Sequence, residues 1–490
     1  MKTPSLFAAL VPLLLLPCRA LADEPATRPN IVLILADDLG YGDVQCLNPQ
    51  RGKIATPNID ALAARGMTFT DAHSSSSVCT PTRYGLLTGR YNWRTRLQSS
   101  VLFGYDSPLI AADRLTLPKL LKQQGYTTAC IGKWHLGLDL PEGESQPVIR
   151  NGPTTRGFDH FFGISASLDM PPFAYIENDR FTQPLTTTKK WVRDGPAAAD
   201  FEARDVLPTL ARHAVNYIEE QAKAKMPFFL YLPLTSPHTP IEPTAEWSGK
   251  SSLGDYGDFV MATDGVVGNV VEALGRAGIQ DQTLLIVTAD NGFSPAANLG
   301  SLLKHGHHPS GPLRGTKADI FEGGHRVPFM VRWPGRINPG TTTNTTICLN
   351  DVMATCAEIV GATLPENAGE DSVSFLPALI GKHPQVSREA VVHHSIEGNF
   401  AIRIGKWKLI LASHSGGWSS PGRASKEATE LPPNQLYDLE SDPAETRNVQ
   451  AEHPEIVAQF TQQLETIIAK GRSTPGGEQR NDVPVLMRKD

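Results

Sequence analysis

Four short apolar stretches, each ending abruptly in a polar cluster, constrain the fold of this chain most. Ile31 to Ala36 runs into Asp37-Asp38, and Tyr126 to Ile131 into Gly132-Lys133-Trp134-His135. Phe228 to Leu232 leads toward Pro237-His238, and Thr283 to Ala289 runs into Asp290-Asn291-Gly292. Because they are apolar on both faces, such runs read as central strands of a parallel sheet covered by helices. Helix candidates lie between them at Pro118 to Gln124, Pro208 to Lys223 and Tyr256 to Ala277. Alternation of this kind predicts an α/β fold, a large doubly wound domain.

After about residue 385 the texture changes. Glu389 to His394, Phe400 to Ile404 and Trp407 to Leu411 read as short antiparallel strands. A Gly/Ser/Pro-rich loop from Ser415 to Pro433 follows, then a helix near Pro454 to Ala469. This predicts a smaller α+β domain with a loose tail beyond Gly471. At 490 residues two domains are expected in any case.

The first residues read as a leader. Lys2 precedes the apolar run Leu6 to Leu16, and Ala20-Leu21-Ala22 gives an A-x-A cleavage site. The run is too short to span a bilayer, and no later segment approaches 18 uninterrupted apolar residues. The division expected is therefore a signal peptide over 1–22, a catalytic domain over 23–385 and a C-terminal α+β subdomain with its tail over 386–490. The mature chain is expected to be exported, periplasmic or secreted, with no membrane span. Pro17 before Cys18 argues against a lipidated Cys. Cleavage removes Lys2 and Arg19 and no acid, making a chain of formal charge -6 more acidic still. That balance counts against a nucleic-acid partner.

Of the six cysteines, Cys46, Cys79, Cys130, Cys348 and Cys356 remain after cleavage. An odd number in an exported protein suggests that at least one is unpaired or chemically special. Their scatter fits no disulfide framework, and no C-x-x-C pair supports a zinc site.

In an open α/β sheet, ligands bind outside the carboxyl ends of the strands, where each of these clusters sits. Taken singly, an Asp after a strand caps a helix and Asn-Gly makes a turn. Taken together, Asp37, Asp38, Asp290 and Asn291 supply oxygen donors suited to a hard cation, Ca²⁺ or Mg²⁺. Lys133 and His135, two residues apart, project on one side of an extended chain and suit holding an anion and moving a proton. His238, flanked by Pro237 and Pro240, and Lys317 add positive and proton-donating groups. His305, His307 and His308 read as a substrate-facing or solvated loop.

Cys79-Thr80-Pro81-Thr82-Arg83, continuing to Thr88-Gly89-Arg90, is the longest signal. One reading is a nucleophilic Cys at a helix N-terminus, its pKa lowered by Arg83 one turn later. Yet C-x-P-x-R, an apolar helix and T-G-R resemble the motif of the formylglycine-dependent sulfatases, in the alkaline phosphatase superfamily. The resemblance extends to Asn30 to Gly42, Gly132 to Gly137, Pro237 to Pro240, Thr288 to Gly292, Arg314 to Lys317 and Glu322-Gly323-Gly324, in family order from about residue 29 to 335. Leu436-Tyr437-Asp438-Leu439 and the strands around it look like that family's small domain.

The resemblance implies a large mixed-sheet domain with a smaller antiparallel one, and conversion of Cys79 to formylglycine by a formylglycine-generating or anaerobic maturation enzyme. It implies one metal, held by Asp37, Asp38, residue 79, Asp290 and Asn291, with calcium expected and magnesium allowed. A hydroxyl of the hydrated aldehyde would attack sulfur while Arg83, Lys133 and Lys317 neutralise the sulfuryl oxygens. His238 would serve the leaving oxygen, and His135 would take the proton of the second hydroxyl as sulfate is expelled. Gly163 to Phe181 resembles carbohydrate sulfatases, which makes an exo-acting enzyme on sulfated carbohydrate the expectation, a 6-sulfated hexosamine or an algal galactan. Asp169, His305 and His307 are the substrate-binding candidates, and Phe173, Tyr175 and Trp418 are aromatics suited to stacking on sugars or to packing. The alternatives are a broad arylsulfatase, a phosphate or phosphonate monoester hydrolase of the same superfamily, and an inactive sulfated-glycan-binding protein.

Overall fold

The computed structural model describes residues 28–141, 143–382 and 388–489. The expected leader, Cys18 and the boundary placed at 385 lie outside these residues.

Five parallel strands form the centre of a ten-stranded sheet, in the order 283–289, 30–37, 228–237, 127–133 and 160–164. Each of the four apolar runs is one of them, and burial on both faces explains their composition: Ile31 to Leu35 and Phe229 to Leu232 are wholly inaccessible. The sheet is mixed at its edges, where Phe329–Arg332 runs antiparallel to Thr283–Ala289 and Ile176–Glu177 antiparallel to His160–Ile164. Two groups of helices pack on it: Pro57–Ala64, Ala203–Ala224 and Gly254–Arg276 in one, Cys79–Thr88, Leu117–Gln123 and Asp351–Val360 in the other. The doubly wound expectation is borne out.

The helix expected from Pro208 begins five residues earlier, at Ala203. Proline suits a first turn, but here Pro208 stands exposed inside the helix. Burial of Val206, Leu207, Leu210, Ala211, Ala214 and Ile218 along one face outweighs the lost backbone bond.

The smaller domain is a four-stranded antiparallel sheet, Val391–His394, Phe400–Ile404, Trp407–Ile410 and Gln435–Asp438, with the helix Pro454–Ala469 against it through Phe460, Leu464 and Ile467. The stretch beyond Gly471 is not loose. Arg90 donates to Asp482 Oδ1 at 3.0 Å and to the Arg480 carbonyl at 2.9 Å, Arg94 Nη1 donates to Asn481 Oδ1 at 2.9 Å, and Asp482 N–H returns a bond to the Arg94 carbonyl at 2.7 Å. Two buried arginines need these acceptors, which polar composition alone does not reveal.

Candidate active site

Cys79 is the first residue of the helix Cys79–Thr88, every residue of which is buried. It follows an extended Val78, and the helix closes at Gly89 in the left-handed conformation. Arg83, four residues on, lies one turn above Cys79 on the same face. Nε and Nη2 of Arg83 donate to Asp290 Oδ2, and its Nη1 donates to the Lys133 carbonyl at 3.0 Å. One side chain thus ties the helix to the ends of two parallel strands.

Those strand ends turn sharply inward. Asp38 and His135, each just past a strand, adopt positive φ of 66° and 55°, an unusual conformation for non-glycine residues that redirects the side chain. At Gly132 a Cβ would lie 1.8 Å from the Pro233 carbonyl oxygen, so only glycine lets the two strands approach here.

Ligand atoms of Asp37, Asp38, Cys79 and His238 all lie within 4.8 Å of one another, and all four residues are buried. Lys133 Nζ bonds Asp37 Oδ2 at 2.6 Å and Ser167 Oγ at 3.0 Å, and Lys317 Nζ bonds Asp38 Oδ1 at 2.7 Å. Asn291 donates to Asp38 Oδ1 at 2.7 Å, while the Asp38 N–H donates to Asp290 Oδ1 at 3.2 Å. Three buried carboxylates therefore face three buried cations. Asp37 Oδ1 and Asn291 Oδ1 are buried without any hydrogen-bond partner. Unsatisfied buried acceptors beside further carboxylate oxygens fit a hard divalent cation.

The electrostatics follow. Burial opposes ionisation of Asp37, but Lys133, His238, Arg83 and Lys317 hold it well below the usual carboxylate range. Burial and the Asp37 charge push Asp290 up to about 6 against Arg83 and Lys133. Burial pushes the Cys79 thiol up to about 11, although Lys133 and Lys317 oppose it. The alternative reading of a low-pKa thiolate beside Arg83 is not supported, because desolvation of the buried thiol prevails.

His135 Nε2 donates to the Leu102 carbonyl at 2.7 Å, which leaves Nδ1 as a buried lone pair without a partner. Burial, Lys133 and Arg83 keep this ring neutral, so it is built to accept a proton. His238 Nδ1 donates to the Thr239 carbonyl at 2.5 Å, and its Nε2 lies 3.2 Å from Ser167 Oγ and 3.7 Å from Asp38 Oδ2. Burial and Lys317 depress it against Asp38, so it donates through Nε2 only after taking up a proton.

The residues named from sequence do not all meet here. Asp169 is nearby in chain, two residues after Ser167; one of its oxygens pairs with Arg193 and the other, Oδ1, is buried and unpartnered. His305 is exposed and bonds the Ser301 carbonyl of its own helix. His307 is not substrate-facing: it is wholly buried, with Nε2 on Asp43 Oδ1 at 2.8 Å and Nδ1 accepting from Lys53 N–H at 3.0 Å, and it anchors its loop. Phe173 is buried and packs edge-on against Trp191, and half-buried Tyr175 stacks on Phe162 and tilts against Phe201, so both serve as packing groups. Ser167 is the residue missed. It follows the strand His160–Ile164, which is parallel to its neighbour and so also aims its carboxyl end at the site.

A second buried group, His73, Glu322, His325 and His393, also has metal-like spacing. There the Lys408 ammonium stands 3.0 Å from His325 Nε2 and 3.1 Å from Glu322 Oε1, and Arg326 takes the other Glu322 oxygen. The cation such a cluster needs is already supplied by side chains.

Fold and site together define a hydrolase of the alkaline phosphatase superfamily. Residues 29–362 match the family model described as Sulfatase. The chain is 32% identical to the N-acetylgalactosamine-6-O-sulfatase of Bacteroides thetaiotaomicron, over 91% of this chain and 94% of that protein. It is 35% identical to human arylsulfatase A, over 86% and 84% respectively. A solved structure from work on the metabolism of multiple glycosaminoglycans by Bacteroides thetaiotaomicron superposes with a TM-score of 0.80 at 31% identity, covering 90% of this chain and 99% of the other. Ps i-CgsB in complex with k-i-k-neocarrahexaose superposes with a TM-score of 0.71 at 27% identity, covering 92% and 95%. This chain belongs to the sulfatase family and is a sulfuric ester hydrolase.

Proposed function

We propose that the protein removes sulfate from sulfated carbohydrate, acting at chain ends, with Cys79 converted to formylglycine and Ca²⁺ or Mg²⁺ bound. The observation that carries this reading is the placement of Cys79 within 4.8 Å of Asp37, Asp38 and His238, beneath three buried cations. Relatives named for N-acetylgalactosamine-6-sulfate and a neighbour solved with a neocarrahexaose support the carbohydrate and leave a 6-sulfated hexosamine or an algal galactan as the substrate classes.

Asp37, Asp38, Asp290, Asn291 and residue 79 would hold the metal, which supplies Lewis-acid stabilisation of charge on the sulfuryl oxygens. Formylglycine at residue 79, once hydrated, would supply the nucleophilic hydroxyl and a second hydroxyl for release of sulfate. Residues of the chain do the rest. Arg83 fixes Asp290 and contributes charge at the pocket floor. Lys133 and Lys317, free to exchange a carboxylate partner for a sulfuryl oxygen, stabilise the transferred group. Lys317 and protonated His238 serve the leaving oxygen. The unpartnered Nδ1 of His135 accepts the proton. Three carboxylates balance three cations, so a divalent ion makes the pocket net positive, as an anionic substrate requires. Asp169 Oδ1, buried and unpartnered, is a natural acceptor for a sugar hydroxyl. Maturation by a formylglycine-generating or anaerobic enzyme and export accompany this reading.

The test is sulfate release from a panel of chondroitin 6-sulfate saccharides, carrageenan oligosaccharides and p-nitrophenyl sulfate, with p-nitrophenyl phosphate alongside. Faster release from a saccharide than from either aryl ester supports the reading. Phosphate release exceeding sulfate release, or no action on any saccharide, contradicts it.

A further inference from the structure

Two exposed aromatic rings sit on segments bonded to this site. Among the large apolar side chains standing exposed in the described residues, Phe103 at 47% and Trp418 at 54% are the aromatic ones. A single exposed apolar residue needs no explanation. These two differ in that the backbone at or beside each is hydrogen-bonded to the segments carrying the site.

Phe103 follows Leu102, whose carbonyl accepts from His135 Nε2 at 2.7 Å and whose N–H donates to Oγ1 of Thr80 at 3.2 Å. Thr80 is the neighbour of Cys79. The Phe103 N–H is itself held by Asp106 Oδ2 at 2.6 Å. The Arg193 guanidinium lies over the ring, 5.5 Å from its centroid, and pairs with Asp169. Phe103 is thus joined through the backbone of Leu102 to His135 and Thr80, and through Arg193 to Asp169.

Trp418 comes from the smaller domain. Its N–H and that of Ser419 donate to Asp319 Oδ1 at 2.8 and 2.9 Å, and Asp319 is two residues beyond Lys317. A Cβ on Gly417 would lie 2.4 Å from the Ala318 backbone, so this loop is seated directly on the segment that presents Lys317. The Ile320 N–H bond to the Ser415 carbonyl, at 2.7 Å, clamps the same contact. The backbone carrying Trp418 is thus tied to the segment that presents Lys317, while the ring itself stands 54% exposed.

Pyranose rings present C–H faces that pack on aromatic rings and edges of hydroxyls that meet charged side chains. We propose that Phe103 and Trp418 are the two aromatic walls of a saccharide cleft, contributed by different domains, that hold the sugar while its sulfate reaches residue 79. Arg193 and Asp169 serve the hydroxyl edge on the Phe103 side. This inference rests on the carbohydrate reading above.

The experiment compares kcat/KM for the panel saccharide that the wild type desulfates fastest with kcat/KM for p-nitrophenyl sulfate. Trp418→Ala and Phe103→Ala are each expected to lower the saccharide-to-aryl ratio about tenfold, mainly through KM, and Trp418→Tyr to recover most of it. Thermal melting of each variant, expected to match the wild type because both rings are exposed, keeps the comparison one of folded proteins. Titrating wild-type tryptophan fluorescence with the desulfated product gives a second measure, expected to shift and to lose the shift in Trp418→Tyr. Unchanged ratios in both alanine variants, or equal losses on both substrates, overturn the cleft while leaving the carbohydrate reading standing. A wild type that cleaves the aryl ester and no saccharide overturns both.

Discussion

Nε and Nη2 of Arg83 converge on a single oxygen of Asp290, Oδ2, at 3.0 and 2.8 Å, while Asp290 Oδ1 accepts the N–H of Asp38. The guanidinium fork is what lets one cation span Asp290 and the Lys133 carbonyl together. Arg83→Lys is expected to keep the charge but lose that span, lowering kcat for sulfate release by about 10²-fold or more. Arg83→Ala leaves buried carboxylates unpaired and is expected to destabilise the fold by about 3–5 kcal/mol. Rate assays and denaturant melts separate the two effects.

Ser167 touches both Lys133 Nζ, at 3.0 Å, and His238, at 3.2 Å. Ser167→Ala removes one orienting hydroxyl without creating a charge, so kcat should fall about tenfold with little change in melting temperature. Lys133→Gln should cost about 10²-fold or more, because it strips the cation from Asp37 as well as from the substrate.

Removal of divalent cations by a chelator is expected to abolish sulfate release, and Ca²⁺ to restore it. The oxygens of Asp37 and Asn291 that lack partners should then also report binding as stability, since an ion at 100 times its Kd contributes about 2.7 kcal/mol. Asp37→Asn should raise the Ca²⁺ concentration needed for half-maximal activity. A melting temperature insensitive to Ca²⁺ in the wild type would count against a metal at these residues.

The interface between the two domains carries its own pH dependence. His73 and His325 from the large domain and His393 and His394 from the small one are all depressed, burial being the first cause, with His394 down to about 3. Each stays neutral in the folded protein and takes up a proton on unfolding below about pH 6.5, so the stability it contributes is present above that pH and lost as pH falls. Glu445, pushed up to about 7 by burial against Lys408, works in the opposite sense between about 7 and 4.5. The depressed histidines outweigh Glu445, so stability is predicted to fall as pH drops from about 6.5 toward 5. Unfolding midpoints across that range should fall steeply, and His393→Phe, which keeps the stack on His325, should flatten the slope.

Much of this was legible from residues alone, for identifiable reasons. A strand buried on both faces has to be apolar throughout and has to end in polar residues, so Ile31 to Asp38 and Thr283 to Asn291 declared both the sheet and the site. Where local composition misleads, a distant partner is the cause. The tail beyond Gly471 is polar because it serves Arg90 and Arg94, hundreds of residues away. His307 sits in a histidine-rich loop but is claimed by Asp43. Arg83 is one turn from Cys79 and pairs with Asp290, but it is burial of the thiol, which sequence does not show, that raises it. Ser167 escaped notice because its strand, His160–Ile164, mixes His, Gly and Phe and lacks the apolar signature of the other four.

The measurement that bears most directly on the sulfatase reading is the rate of sulfate release by Cys79→Ala beside the wild type, both co-expressed with a maturation enzyme, with the mass of the wild-type peptide containing residue 79 determined in the same preparation. The account predicts an aldehyde mass at residue 79 in the active wild type and a loss of about 10³-fold or more in Cys79→Ala. Full sulfate release by Cys79→Ala, or a fully active wild type whose residue 79 is entirely unmodified thiol, would contradict it.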